Sequence, residues 1–246
     1  MIFDPSKARV AVALEGDRID LDEACFWFGT HGNIRVCNIH IPPNDKTVLL
    51  STEFDKLADD GQIYSSAHRI LDHINGLLFL DDVQRKPIIP QGVVHRRADN
   101  GNWGVTIHLA AVHINVRSRV RVRSGASEQL APPRATRLLQ EAARDDVVAE
   151  VLTFLRSAPD YFELYKAFER MKADIEDRLG GGSPSRIGWP GSRRLAHFTQ
   201  SATVYRHARH KWPRNYDMTK AMSLRDARKF VRELAAVWLQ WRYPQS

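Results

Sequence analysis

The chain changes its hydrophobic pattern once, close to residue 125, and this change constrains the fold more than any single motif. Before it, runs of alternating or continuous apolar residues are typical of β-strands, at 9–15, 34–41, 47–51, 92–95 and 105–122. One segment among them, 65–80, instead carries an apolar stripe at helical spacing, which predicts a helix with Ser65 or Ser66 as its N-cap. Residues 20–28 are compatible with a short helix or a strand.

After residue 125 the pattern is helical throughout. The stretch 123–133 contains Ser, Gly and a Pro-Pro pair, which is typical of a linker leading into the first turn of a helix. Helices are predicted beyond it at 134–158, 160–179 and 223–241, with one or two more within 193–210. The sequence therefore predicts an α+β protein, in which a mixed sheet-and-helix domain (1–125) precedes a helical bundle (134–246).

Charge is distributed as unevenly as the secondary structure. Residues 1–125 contain 15 Lys and Arg against 15 Asp and Glu, so the whole net charge of +7 lies in the second half. Residues 184–246 alone contain 13 basic and three acidic side chains. Basic side chains concentrated in helical segments and interleaved with Trp and Tyr are typical of proteins that bind a polyanion.

The densest basic cluster lies at 205–214. It contains Arg206, His207, Arg209, His210, Lys211 and Arg214. On a helix Arg206 and His210 would lie on one face, because they are four residues apart. Arg and protonated His bind phosphate through charge-assisted hydrogen bonds, and a neutral His beside an Arg can act as general base on a ribose hydroxyl. Arg206 and His210 are therefore the candidate catalytic pair. The alternative is a solvated basic helix end.

A second cluster upstream repeats the pattern. Arg193 and His197 are also four residues apart, and Arg194 lies beside them. If the two clusters fold together, their Arg and His side chains line one groove. Arg193, Arg194 and His197 are therefore candidate ligand-binding residues, together with His207, Arg209, Lys211 and Arg214. The alternative is ordinary surface decoration.

Other chemistries have little support in the sequence. No G-x-S-x-G, Walker A or G-x-G-x-x-G motif occurs, and the His residues lack the spacing of zinc ligands, so no metal or cofactor is expected. Cys25 and Cys37 are interpreted as small buried hydrophobes. The paired acids at 59–60, 81–82 and 145–146 are interpreted as helix caps and solvated positions.

The sequence also lacks membrane and export signals. Its apolar runs are far shorter than the roughly 20 residues that a membrane-spanning helix needs. The first residues show no basic region leading into a long apolar stretch and no cleavage site. A cytoplasmic protein with no membrane partner is therefore expected.

The second half resembles a family of uncharacterised bacterial proteins. The resemblance lies in FELYKAFERMKADI, in RRLAHFTQSATVYRHARHK with its ARHAR-type segment, and in MSLRDARKFVRELAAVWLQW with its terminal MSL-x2-AR helix. The helical half is also distantly similar to HEPN-type bundles, which often act as RNases or RNA binders. In their active motif four to six residues separate Arg from His, whereas three separate Arg206 from His210 here.

Charge, clusters and resemblance favour one function. The helical half is predicted to bind RNA or another phosphate-bearing ligand, and metal-independent RNA cleavage is an extension in which His210 is the base and Arg206 stabilises charge. The alternative is a non-enzymatic interaction or scaffold protein, whose basic segment pairs with an acidic partner or with acids of its own first domain. The sequence leaves open whether the chain is a homodimer or binds another protein.

Overall fold

A computed structural model describes residues 4, 7–30, 32–41, 44–96, 101, 103–106, 132–156, 159–190, 192–204 and 221–244. The first part contains β1 (Val10–Glu15), α1 (Arg18–Phe28), β2 (Ile34–Ile41), β3 (Asn44–Ser51), α2 (Asp60–Asp81), β4 (Ile89–Arg96) and β5 (Trp103–Thr106). The second contains α3 (Pro132–Ala142), α4 (Asp146–Leu155), α5 (Tyr161–Arg178), α6 (Ser192–Val204) and α7 (Leu224–Arg242). An N-terminal sheet with later helices confirms the α+β class.

The described strands form one antiparallel sheet in the order β2-β3-β1-β4-β5. Val12 lies opposite Leu49 on one face, and Ala11 lies opposite Val94 on the other. All four side chains are fully buried, so the central strands are covered on both faces and read as near-continuous apolar runs. The predicted strand 105–122 falls outside the described residues beyond Thr106.

The predicted helix 65–80 is confirmed as part of α2, but the predicted N-cap at Ser65 or Ser66 is wrong. The helix begins at Asp60, where the Asp59 carboxylate accepts a hydrogen bond from the Gln62 N–H at 2.9 Å. Ser66 is buried inside the helix. The Asp59 side chain caps the free N–H groups of the first turn nearly two turns earlier than the serines would.

The predicted helix 134–158 is two helices, so that boundary is wrong. Asp145 has extended backbone angles, φ −131° and ψ 102°, which end the helical path after α3. Its carboxylate accepts hydrogen bonds from the Val147 and Val148 N–H groups and starts α4. No Gly or Pro marks this break, so the hydrophobic period runs across it in the sequence.

The remaining helix ends follow their sequence signals. Asp160 caps α5 in a capping box with Glu163, and the Ser223 hydroxyl caps α7 by accepting from the Asp226 N–H at 3.1 Å. Gly180 and Gly181 have φ of +60° and +86° after α5, a backbone region that side chains disfavour. Residues 20–28 are helical in α1.

The chain divides into two compact units. One comprises Met1–Asn75 and Lys86–Glu141, and the other comprises Gly76–Arg85 and Ala142–Ser246. The first contains the sheet, and the second contains α4 to α7. The predicted boundary between 125 and 134 falls largely on residues outside the described ranges and stays a prediction.

No helix in the described part of the chain combines the length and apolar character needed to cross a membrane.

Candidate nucleic-acid interface

Helix α6 carries the upstream cluster on its outer face. Its other face buries Phe198 and Ser201 completely and Ala202 almost completely. With 3.6 residues per turn, this burial directs Arg193 and His197 outward together, and both are exposed. The structure therefore brings these two predicted site residues onto one accessible surface.

Arg194 is also exposed but is already engaged by α7. Its Nη1 donates to Glu233 Oε2 at 2.8 Å, and its guanidinium lies 4.9 Å from the centroid of the Phe230 ring. The two charged side chains are 54% and 44% exposed, so the pair contributes at most about 1 kcal/mol to stability. A competing anion can therefore separate Arg194 from Glu233 at low cost.

Helices α6 and α7 are antiparallel neighbours. Arg194 contacts Glu233, the Phe198 and Phe230 rings are 5.6 Å apart, and the Ser201 hydroxyl bonds Met222. Residues further along α6 contact residues closer to the start of α7, as they do in antiparallel helices. The exposed faces of the two helices consequently adjoin.

The main chain of Met222 is held beside α6 by two buried hydroxyl groups. Its N–H donates to Ser201 Oγ at 2.8 Å, and its carbonyl accepts from the Tyr161 hydroxyl of α5. Ser201 Oγ in turn donates to the His197 carbonyl at 2.8 Å. The chain that leaves α6 at Val204 is therefore back beside the same helix at Met222.

The main basic cluster lies outside the described residues. This applies to both candidate catalytic residues and to four predicted ligand-binding residues: Arg206, His210, His207, Arg209, Lys211 and Arg214. Their roles stay predictions. The anchoring of Met222 fixes only where the chain returns after them.

Helix α7 adds basic residues that the sequence interpretation missed. Arg225 and Lys229 are exposed and follow the same four-residue spacing as Glu233. Two further arginines are committed to backbone carbonyls: Arg228 donates to Pro159 at 2.9 Å, and Arg232 donates to Asp81 at 3.0 Å. The sequence already shows these basic residues at four-residue spacing on the polar face of the helix. The helix was predicted from its apolar face alone.

Some of the paired acids are bonded to other side chains instead of only capping a helix or facing solvent. Asp59 and Asp145 do cap helices. Asp81, however, has a side chain only 2% exposed and pairs with buried Arg85 at 2.6 Å, so its interpretation as a solvated residue is wrong. A carboxylate this deeply buried needs a charged partner, which Arg85 supplies one helical turn later.

The two cysteines are free and only half-buried, less than predicted. Burial, with smaller effects from Cys37 and Asp22, raises the pKa of the Cys25 thiol to about 12. Burial also raises the pKa of Cys37. Both thiols are therefore protonated at neutral pH and poor nucleophiles. Within the described ranges no three His, Cys, Asp or Glu side chains are grouped so that they could hold a metal ion.

His73 is a buried histidine in the interior of α2. His73 is only 4% exposed. Burial, with a smaller effect from Arg69, lowers the pKa of its imidazole from 6.5 to about 4. The imidazole is consequently neutral in the folded protein at physiological pH.

Acid should therefore destabilise the fold through His73. Below pH 6.5 the unfolded chain binds a proton at His73, whereas the folded chain does so only near pH 4, so stability is complete above pH 6.5 and is lost as pH falls. The expected loss is about 2 kcal/mol at pH 5. Urea unfolding at pH 7.5 and pH 5 measures it.

The matched variants are His73→Gln and His68→Gln on the same helix. His73→Gln should remove this part of the pH dependence, whereas His68→Gln, at an exposed position, should keep it. Equal pH dependence in wild type and His73→Gln would contradict the assignment.

Comparison with known proteins adds no relative. No protein-family model matches the chain, and neither a curated protein nor a solved structure gives a significant match. The resemblance to the ARHAR-type family and to HEPN-type bundles stays a prediction.

Proposed function

We propose that the helical half of this protein binds RNA or another phosphate-bearing ligand through the outer face of α6 and the basic segment at 205–214. One observation carries the proposal: Arg193 and His197 are exposed side by side on the helix that leads directly into that segment. The net positive charge of residues 184–246 supports it, because it concentrates a polyanion near this surface.

The side-chain chemistry fits a phosphate group. The guanidinium of Arg193 offers a planar fork that matches two phosphate oxygens, and His197 adds a further donor when protonated. The same side chains carry no base specificity, so binding should depend on charge more than on sequence.

RNA cleavage without a metal is the catalytic extension of this proposal. His210 would act as the general base and Arg206 would stabilise the charge that develops on the phosphate. The support is the type and spacing of the two residues, which lie outside the described ranges.

Binding is tested by fluorescence anisotropy with labelled single-stranded RNA at low and moderate salt. Wild type should bind at low salt and lose affinity steeply as salt rises. Arg193→Ala/His197→Ala should weaken binding on the order of tenfold at low salt. Arg144→Ala/Arg186→Ala, which removes two exposed cations elsewhere in the same unit, should bind like wild type.

Two results would count against the proposed binding site. Binding that persists unchanged at high salt, or equal losses in the two double variants, would contradict a defined polyanion site. The same samples on a denaturing gel, with Arg206→Ala/His210→Ala beside wild type, test cleavage. Product that appears with wild type and disappears with this variant would make the segment an active site.

A scaffold or interaction protein is the second candidate. Its support is the Arg194–Glu233 pair, in which a predicted ligand-binding residue is instead bonded to an acid of the same chain. In that function the basic segment contacts an acidic protein or the chain's own acids. Absence of RNA binding even at low salt would favour it.

A further inference from the structure

On the premise that the proposed function holds, we infer that Arg225 and Lys229 of α7 form the second half of the polyanion site, and that its ligand is the phosphodiester backbone of RNA. Both side chains are exposed, and they lie on the helix that runs antiparallel to α6. The site then spans two helices rather than the single outer face of α6.

The position of Glu233 fixes one end of the charged stripe on α7 next to α6. Arg225, Lys229 and Glu233 follow each other at intervals of four residues, so they form one stripe that turns slowly around the helix. Because Glu233 reaches Arg194 of α6, the stripe meets α6 at Glu233. Each step of four residues then turns it by about 40° away from the Phe230 ring that contacts α6, so that it continues on the outer face of α7. Arg225 and Lys229 continue it towards Met222, where the chain returns from the basic segment.

The acids on this surface are already bonded. Glu233 holds Arg194, and Asp226 accepts a hydrogen bond from the Ser223 hydroxyl at 2.7 Å in the first turn of α7. Carboxylates in a first helical turn are stabilised by the helix dipole, so Asp226 has a local function. Within the described part of the chain Arg225 and Lys229 form no ion pair, and like charges at this spacing destabilise a helix unless an anion lies between them.

In this arrangement Glu233 pairs with Arg194 and keeps its guanidinium from contacting a ligand. A phosphate that displaces Glu233 gains the Arg194 guanidinium as a third contact beside Arg225 and Lys229. Removing the carboxylate should therefore strengthen RNA binding.

The experiment measures the salt dependence of single-stranded RNA binding for four proteins. For single strands, each phosphate contact contributes about −0.7 to the slope of log K against log salt. Arg225→Ala/Lys229→Ala should make the slope shallower by about 1.4 and weaken binding on the order of tenfold at low salt. Glu233→Gln should tighten binding and steepen the slope by about 0.7.

The fourth protein, Arg144→Ala/Arg186→Ala, has the same net charge as the α7 variant and should keep the wild-type slope. Circular dichroism and thermal melting of each variant show that it is folded. If wild type and, in the earlier binding experiment, Arg193→Ala/His197→Ala behave as proposed, but Arg225→Ala/Lys229→Ala and Glu233→Gln match wild type, the inference is wrong and the proposed function stands. If wild type binds no RNA even at low salt, the inference is wrong and the scaffold function is favoured over RNA binding.

Discussion

Replacing Arg242 by Met is expected to lower the free energy of unfolding by about 3 kcal/mol, because it removes the buried cation that pairs with the buried Asp174 and the partly exposed Asp145. The Arg242 side chain is 3% exposed near the end of α7 and pairs with Asp145 and, at 2.8 Å, with Asp174 of α5. Urea unfolding followed by circular dichroism measures the loss.

The surroundings of Arg242 explain the size of this effect. Asp174 also accepts from Trp238 Nε1 at 2.8 Å, and Asp145 accepts from the Tyr243 hydroxyl at 3.2 Å while it caps α4. One guanidinium thus joins the start of α4, the last turns of α5 and the end of α7. Without it the remaining hydrogen bonds still hold both carboxylates in place, so neither can easily move to water.

Arg178→Met is the matched control, since Arg178 donates to the same Asp174 at 2.9 Å but is 49% exposed. It should cost less than about 1 kcal/mol. Arg242→Met/Asp174→Leu should recover part of the loss, because the double change removes charge of both signs from the interior. Equal costs for the two single arginine variants would contradict a buried network.

Local sequence signals were sufficient for most of the fold. The strand at Ile34–Ile41 and the caps at Asp160 and Ser223 follow from apolar runs and from side chains that satisfy neighbouring N–H groups. The break between α3 and α4 was not predictable from the hydrophobic periodicity, because Asp145 interrupts the helix without Gly or Pro. Asp145 caps α4 through local hydrogen bonds, but its carboxylate also accepts from Arg242, 97 residues later, a contact that no local pattern encodes.

The candidate site, like the fold, was only partly predictable from local sequence patterns. Spacing along one helix predicted that Arg193 and His197 share a face, since that depends only on helical geometry. The neighbourhood of α6 and α7 depends on contacts such as Arg194 with Glu233, 39 residues apart, which no local pattern encodes. Arg225 and Lys229 became candidates only when that neighbourhood was known.

Gly76→Ala is expected to destabilise the protein by about 3 kcal/mol or more, against the local preference of the helix. Inside a helix Ala is normally better than Gly by up to about 1 kcal/mol. Here a Cβ at Gly76 of α2 would lie 2.4 Å from the Leu152 carbonyl oxygen and 2.9 Å from its carbon and Cα. These are backbone atoms of α4, so the two helices themselves must separate.

Whether Gly76→Ala raises or lowers the free energy of unfolding therefore shows whether helix propensity or tertiary packing dominates at this position of α2. Gly61→Ala on the same helix is the control, because its Cβ would meet only the Asp59 carboxylate at 3.1 Å, and the expected change is within about 1 kcal/mol. Urea unfolding of both variants gives the comparison. If Gly76→Ala raised stability as helix propensity alone requires, α2 and α4 would not approach each other at backbone contact, and the packing of the helical unit around Leu152 would have to be different.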